Sequence, residues 1–160
     1  MSEAMTIRRA GPGDLETIVA HNQAMARETE DLTLDEATVR SGTRRALEDP
    51  ARALYLLAER DGEVLGQLMI TPEWSDWRDG AFWWIQSVYI RSEARRQGVF
   101  RALYDRVCEE ARQQEGVCGL RLYVDRENTA AKATYAALGM TPAHYDLYEI
   151  DYVLGKQVPR

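Results

Sequence analysis

Apolar and polar residues alternate in some stretches of the chain and recur at three-four spacing in others, and the switches between the two periods mark out the elements. Thr6 to Ala10 alternates and predicts a short strand. Gly11-Pro12-Gly13-Asp14 reads as a turn and helix start, with Asp14 able to cap the free N–H groups. Leu15, Ile18, Val19, Asn22, Met25 and Ala26 follow at helical spacing, and the acidic run Glu28-Thr29-Glu30-Asp31 predicts a loop. Thr33 with Glu36 three residues on forms a capping-box pattern for a second helix. Asp49-Pro50 ends that helix, because the residue before proline avoids the helical region. Ala53 to Glu59 is an apolar run of strand length. Asp61-Gly62 is a hairpin turn, and Glu63 to Ile70 returns as the antiparallel partner.

Thr71 to Gly80 is polar and aromatic at once and predicts a loop in which Trp74 and Trp77 either pack down on the sheet or form a wall beside a substrate. Ala81 to Arg91 is a long strand. Phe100, Leu103, Val107 and Ala111 repeat at helical spacing, and that helix runs to about Glu115 with Gly116 as its stop. Gly119 to Asp125 is a strand, and two strands joined by a full helix are parallel or nearly so. Asn128 opens a last helix that ends at Leu138, capped by Gly139; the tyrosine-rich remainder, Met140 to Leu154, predicts one or two further strands. The order β-α-α-β-β-β-α-β-α-β, with room for a final strand, predicts a mixed α/β fold, one sheet with helices on both faces, in a single domain spanning 1–160.

Composition narrows the function. The 160 residues are 45% hydrophobic and 29% charged, ordinary for a soluble globular chain, and the formal net charge is -6. No global basic field exists to displace counterions, so nucleic acid is not expected as a partner. No apolar run approaches the ~20 residues of a membrane span, and the first residues lack a signal pattern, so no membrane partner and a cytoplasmic location are expected. Two cysteines, Cys108 and Cys118, without ligand spacing, and two histidines, His21 and His144, give no metal site.

The stretch with the most chemistry runs from Ser87 to Leu103. An apolar strand leads into a basic turn ending at Gly98, and a helix starts there. The first N–H groups of a helix have no intrahelical partner and point at whatever lies off the end. Glycine lets backbone approach a large anion without a Cβ in the way. Arg95, Arg96 and Arg101 add positive charge and donors suited to phosphate. On the last helix Asn128, Ala131 and Tyr135 are three and four residues apart and share one face.

These motifs, in this element order, resemble the GCN5-related N-acetyltransferase superfamily over nearly the whole chain. The family's cofactor motif (apolar strand, Arg or Gln, two free positions, Gly, one free position, Gly or Ala) is matched at Val88, Ile90, Arg95 and Gly98. Its second motif is matched at Asn128, Ala131, Tyr135, Leu138, Gly139 and Met140. The resemblance implies a central mixed, splayed sheet of six to seven strands and acetyl-CoA as co-substrate, with no metal. It implies that backbone groups of Val88 and Ile90 pair with the pantetheine arm and that Arg95, Arg96, Gln97, Gly98, Val99, Phe100 and Arg101 hold the pyrophosphate. It further implies that the Val88 N–H faces the thioester oxygen, that Asn128 and Ala131 help bind the cofactor, and that Tyr135 gives a proton to the departing thiolate. A tyrosine suits that role, its pKa lying near those of thiols and amines.

The chain departs from the family at two places. Phe100 stands where Gly or Ala is usual, so its ring must turn away from the pyrophosphate. The strand positions that carry a Glu or His base in several members are Trp84 and Gln86, neither of which accepts a proton at neutral pH. The carboxylates that remain as candidates are Glu28, Glu30, Asp31 and Glu73, with water as the alternative acceptor. Trp83, Trp84, Gln86, Tyr145 and Tyr148 are expected to shape the acceptor pocket; strand alternation puts Trp84, Gln86 and Val88 on one face. An aromatic, mildly acidic pocket suits the amine of a small molecule or peptide. The expected activity is acyl transfer from acyl-CoA to that amine by direct attack in a ternary complex, the alternative being a non-catalytic acyl-CoA-binding module. The resemblance leaves room for a homodimer, and no interface is marked in the sequence.

Overall fold

The structure, a computed structural model, describes residues 4–154. The ends of the single domain expected over 1–160, residues 1–3 and 155–160, lie outside the described residues. The chain forms two compact units, one ending at Tyr123 and one beginning at Val124.

The first unit is built on a five-stranded sheet of β1 (Thr6–Arg9), β2 (Leu54–Arg60), β3 (Glu63–Ser75), β4 (Gly80–Ile90) and β5 (Val117–Leu122), in that spatial order. The first three neighbouring pairs are antiparallel, and β4–β5 is parallel. The parallel pair follows from its connection, since α3 (Val99–Gln113) must carry the chain back before β5 begins. Helices α1 (Leu15–Glu30) and α2 (Glu36–Glu48) pack on one face, where Ile18 and Ala46 meet Ala53, Tyr55 and Leu57. Alternation turns Leu56, Leu68, Ile70 and Ile85 to the other face, and α3 covers them with Val99, Leu103 and Val107, all buried.

Several boundaries differ from the sequence expectation. Helix α1 continues through the acidic run to Glu30, because Glu residues are good helix formers and the stop comes only at Asp31, in the left-handed region at φ 49°. Helix α2 starts at Glu36 rather than Thr33: Asp35 is the cap, its side chain accepting from the Thr38 N–H at 2.9 Å. Strand β3 runs on to Ser75, so most of the expected loop is strand, and only the short turn Asp76–Arg78 separates it from β4. Trp74 and Trp77 at this tip do not pack down; Trp77 is 89% exposed.

The second unit contains α4 (Thr129–Ala137). Asn128 caps it, accepting from the Ala131 N–H at 3.0 Å. It ends in a Schellman arrangement, with Met140 N–H on the Tyr135 carbonyl and Gly139 N–H on that of Ala136, both at 3.0 Å, and Gly139 at φ 91°. The tyrosine-rich strands expected over Met140 to Leu154 do not form. Alternation supplies a side-chain pattern but no backbone partner, and Asp151 instead accepts from the N–H groups of Val153 and Leu154, both at 2.8 Å. The described residues therefore hold five strands, fewer than the six to seven expected.

Candidate functional site

Strand β4 does not run evenly beside β3. Gln67 opposes Tyr89 and Met69 opposes Gln86, so Ser87 and Val88 together face the single residue Leu68. This is a β-bulge, which leaves the extra residue out of the regular ladder and bends the strand. Ser87 takes the left-handed conformation, φ 48°, to make it. The bulge resets the alternation: Gln86 and Tyr89 now share a face, and the expectation that Val88 follows Trp84 and Gln86 fails by one residue.

Beyond β4 a short helical turn at Ser92–Ala94 leads to Arg96, left-handed at φ 63°, and then to Gly98, φ 78°. Gly98 is the N-cap of α3, and the first intrahelical bond is Ala102 N–H to the Gly98 carbonyl at 3.0 Å. The backbone from Gly98 to Arg101 thus lies at the amino end of a 15-residue helix. The unpaired N–H groups at a helix amino end point past it, a geometry that takes anions. A Cβ placed on Gly98 would meet nothing within 4 Å, so the space above this backbone is open.

The basic side chains of the turn are mostly engaged with the protein. Arg95 reaches Glu28 at 2.6 Å and donates to the Ile90 carbonyl at 3.0 Å, 5.9 Å from the centre of the Tyr89 ring. Arg101 pairs with Asp105 one turn on, at 3.0 Å. Gln97 donates to the Glu93 carbonyl at 2.8 Å and accepts from Arg60 at 2.9 Å. Arg96 is exposed. Val99 is buried in the core, which leaves its backbone for the turn. The Phe100 ring lies 6.1 Å from that of Tyr104, along the helix.

On the α1/α2 face, beyond the two helices, β3, β4 and β5 present a half-exposed aromatic and polar wall. Trp84 stacks on Tyr123 at 4.3 Å, and Gln86 donates to the Thr71 hydroxyl. Arg121 lies 3.7 Å over the Phe82 ring and pairs with Glu73 at 2.6 Å. Trp83, its side chain on the opposite face, is buried in the core. Of the candidate carboxylates, Glu73 is thus held by Arg121, and Glu28 is held by Arg95 with the Tyr89 hydroxyl 3.4 Å away. Glu28 and Glu30 lie on the last turn of α1 and Asp31 caps it, so these three do not form a loop.

Asn128, Ala131 and Tyr135 belong to the second unit, on or beside α4. Asn128 spends its carbonyl on the helix cap, leaving its NH2 group for another partner. Tyr135 is half-buried, and burial pushes its hydroxyl above the ordinary tyrosine value, so it holds its proton at neutral pH. In the irregular segment Tyr145 is exposed, its ring 4.1 Å from His144, and Tyr148 is exposed as well.

Sequence reasoning missed a buried polar cluster. Gln67 is fully buried in β3 and bonds both His21 and Asn22 of α1. The signal was one amide inside the apolar run Val64 to Ile70, together with two polar residues on the inner side of α1. Tyr123 and Arg121, which complete the aromatic wall, were also missed. Among the described residues no group of three or more His, Cys, Asp and Glu side chains is placed to hold a metal ion.

The sequence profile of the acetyltransferase (GNAT) family matches residues 16–140. No match is found among curated proteins. A solved structure of a possible acetyltransferase from Clostridium difficile 630 is 40% identical, with 94% of this chain and 99% of that one covered and a TM-score of 0.86. Two more distant structures share the fold. The ribosomal-protein-alanine N-acetyltransferase from Brucella melitensis biovar Abortus 2308 is 18% identical, covering 93% of this chain and 99% of its own, at TM-score 0.75. A predicted acetyltransferase with acetyl-CoA from Clostridium acetobutylicum is 15% identical, covering 92% and 96%, at TM-score 0.75. With the family profile spanning most of its length, and with the bulged strand and glycine-capped helix in the order the sequence motifs require, this chain belongs to the acetyltransferase (GNAT) family.

Proposed function

We propose that the chain is an acetyl-CoA-dependent N-acetyltransferase acting on the amine of a small molecule or peptide, with both units serving one catalytic domain. The observation that carries this reading is the continuous run from the β4 bulge through the left-handed Arg96 and Gly98 into the amino end of α3. It offers backbone donors to a thioester and, one turn later, to a diphosphate. The Val88 and Ile90 backbone takes the pantetheine arm, and the backbone from Arg96 to Arg101 takes the pyrophosphate. Arg95 contributes chiefly by fixing the turn, since its guanidinium is committed to Glu28 and Ile90. Asn128 and Ala131, at the start of α4, take part in holding the cofactor.

In the reaction the neutral amine attacks the thioester carbonyl carbon. Negative charge grows on the carbonyl oxygen, where the Val88 N–H stabilises it. The C–S bond breaks, Tyr135 gives its proton to the leaving thiolate, and the proton lost by the amine nitrogen passes to solvent and restores the tyrosine. Burial keeps Tyr135 protonated and ready to donate. The amine sits against the wall of Trp84, Gln86 and Tyr123, with Tyr145 and Glu28 contributing to its binding; the aromatic faces suit an alkylammonium group that loses its proton on arrival.

A second reading, an acyl-CoA-binding module without turnover, draws on one observation: Trp84 and Gln86 are not bases, and Glu28 and Glu73 are both committed to arginines. A thiol-release assay over a panel of amines, with calorimetry of acetyl-CoA binding, separates the two. Turnover with at least one amine is expected, and tight acetyl-CoA binding with none supports the module. In the enzyme, Tyr135→Phe should lower kcat by about 10²-fold while acetyl-CoA still binds. An unchanged kcat removes Tyr135 from the mechanism.

A further inference from the structure

The bulge in β4 is a costly piece of backbone, because a serine is held left-handed inside a strand. Such a conformation persists only where its surroundings over-determine it. The group that does so is Gln67, which is directly opposite Tyr89 on β3 and wholly out of solvent. Its Nε2 donates to Asn22 Oδ1 at 3.0 Å and to the Ser87 carbonyl at 3.4 Å. Its Oε1 lies 3.1 Å from His21 Nδ1. A carbonyl only accepts, so the Ser87 contact requires the NH2 group of Gln67 on that side. The Gln67 oxygen then faces His21, and His21 carries its proton on Nδ1. Every hydrogen-bonding atom of the Gln67 amide is thereby used, two of the three contacts going to α1 and one to the bulge.

The far side of the bulge is held by His21. The Tyr89 ring packs 5.0 Å from that of His21. His21 and Asn22 are more than nine-tenths buried. The residues just before and just after Val88 are thus fixed to α1 through one amide and one imidazole.

We propose that Gln67 is a positioning residue: anchored by His21 and Asn22, it holds the Ser87 carbonyl and so sets the bulge that turns the Val88 N–H toward the thioester oxygen. The proposal rests on the reading of Val88 given above. It assigns Gln67 no contact with substrate, and its effect is exerted through the backbone of Ser87 and Val88.

The test uses the full chain with Gln67→Met, which keeps length and bulk but has no donor, and Gln67→Glu, which keeps an acceptor for His21 and serves where the methionine variant does not fold. Val107→Ala, a core truncation on the α3 face, is the control for stability loss alone. Each protein is measured at a temperature where it is folded. The expected result is a fall in kcat of about 10-fold or more in the Gln67 variants, part of what loss of an oxyanion donor costs. The dissociation constant for free coenzyme A should change by less than kcat does, because the pyrophosphate turn lies beyond the bulge, and Val107→Ala should keep its kcat. By NMR, the Val88 amide resonance should shift on adding acetyl-CoA to the wild type and shift less in the variants. If the wild type binds acetyl-CoA and moves the Val88 amide, but the Gln67 variants do the same with unchanged kcat, the proposal is overturned and the acyl-transfer reading stands. If the wild type binds no acetyl-CoA, both are overturned.

Discussion

Replacing Gly98 by alanine tests whether a diphosphate lies on the backbone at the start of α3. Two effects can be separated by magnitude. Gly98 sits at φ 78°, and an L-residue in the left-handed region costs about 1–2 kcal/mol. The added methyl meets nothing within 4 Å, so the unliganded protein should lose that amount and no more. For a chain of this size the melting temperature falls by about 2–8 °C. The second effect appears only with ligand. The methyl occupies the open space above the turn and keeps a phosphate from closing on the N–H groups. Hydrogen bonds to charged groups are worth about 1.5–3 kcal/mol each, so weakening one of them lowers coenzyme A affinity by about 10- to 100-fold. Gly116→Ala is the matched control, with φ 83° and likewise nothing within 4 Å. It lies past the other end of α3, roughly 22 Å away at about 1.5 Å per residue. Calorimetric titration with coenzyme A, alongside thermal melts, should show equal destabilisation in the two variants and an affinity loss in Gly98→Ala alone. Equal affinities would mean that the diphosphate does not rest on this turn.

The committed state of Glu28 and Glu73 predicts how rate depends on pH. With no enzyme base, kcat/KM for an alkylamine should rise about tenfold per pH unit through 8 to 9, following loss of the amine's own proton near pKa ~10. An inflection near or below pH 7 would reveal a base in the protein. His21 predicts an acid sensitivity. Burial, with Arg91 nearby, holds its imidazole below the ordinary value, while the unfolded chain titrates near the usual ~6.5. Stability is then fully present above that pH and declines as pH falls toward the lowered native value, since the unfolded chain takes up a proton that the native one refuses. Denaturant unfolding at pH 7.5 and 5.5 should show a smaller pH dependence in His21→Phe than in the wild type; identical dependence would put the sensitivity elsewhere. Leu103→Ala, a fully buried position under α3, should cost about 2–5 kcal/mol in urea unfolding. A loss under 1 kcal/mol would show that α3 repacks freely.

The first unit was largely legible because its elements are written in two clean periods. Tyr55 and Leu57 take one face of β2 and Leu56 the other, and helix α3 repeats Leu103 and Val107 toward the sheet. The bulge was not legible. Ala81 to Arg91 reads as one unbroken strand, and the extra residue shows only when β3 is laid beside it, since a bulge is a property of the pair. The same limit explains the tyrosine-rich tail. A strand needs a ladder partner, and the side-chain alternation of 140–154 carries no information about one, whereas Asp151 has local N–H groups within reach. Glu28 was expected as a substrate-side carboxylate and Arg95 as a phosphate ligand, 67 residues apart in sequence, yet they meet each other at 2.6 Å. Only the packing of α1 against the turn after β4 reveals that pairing.

The two faces of the sheet differ in a way that bears on function. Under α3 the buried side chains are aliphatic and aromatic: Leu56, Leu68, Ile70, Trp83, Ile85, Val99, Leu103, Tyr104 and Val107. The four buried polar residues among those described, His21, Asn22, Thr43 and Gln67, all belong to the α1/α2 side. Stability alone does not account for this. A satisfied hydrogen bond contributes only about 0.5–1.5 kcal/mol net, and an apolar group of the same shape serves about as well in a core. What an apolar group cannot do is hold a carbonyl in place at a chosen point of a strand. Dispersion contacts are non-directional, whereas an amide held by three hydrogen bonds positions whatever it bonds. The polar side of the core lies against Ser87 and Tyr89, the residues that flank Val88, and the apolar side lies under the helix that Gly98 caps. One face is therefore built to keep α3 in place by bulk, and the other to keep a single strand residue in place by direction.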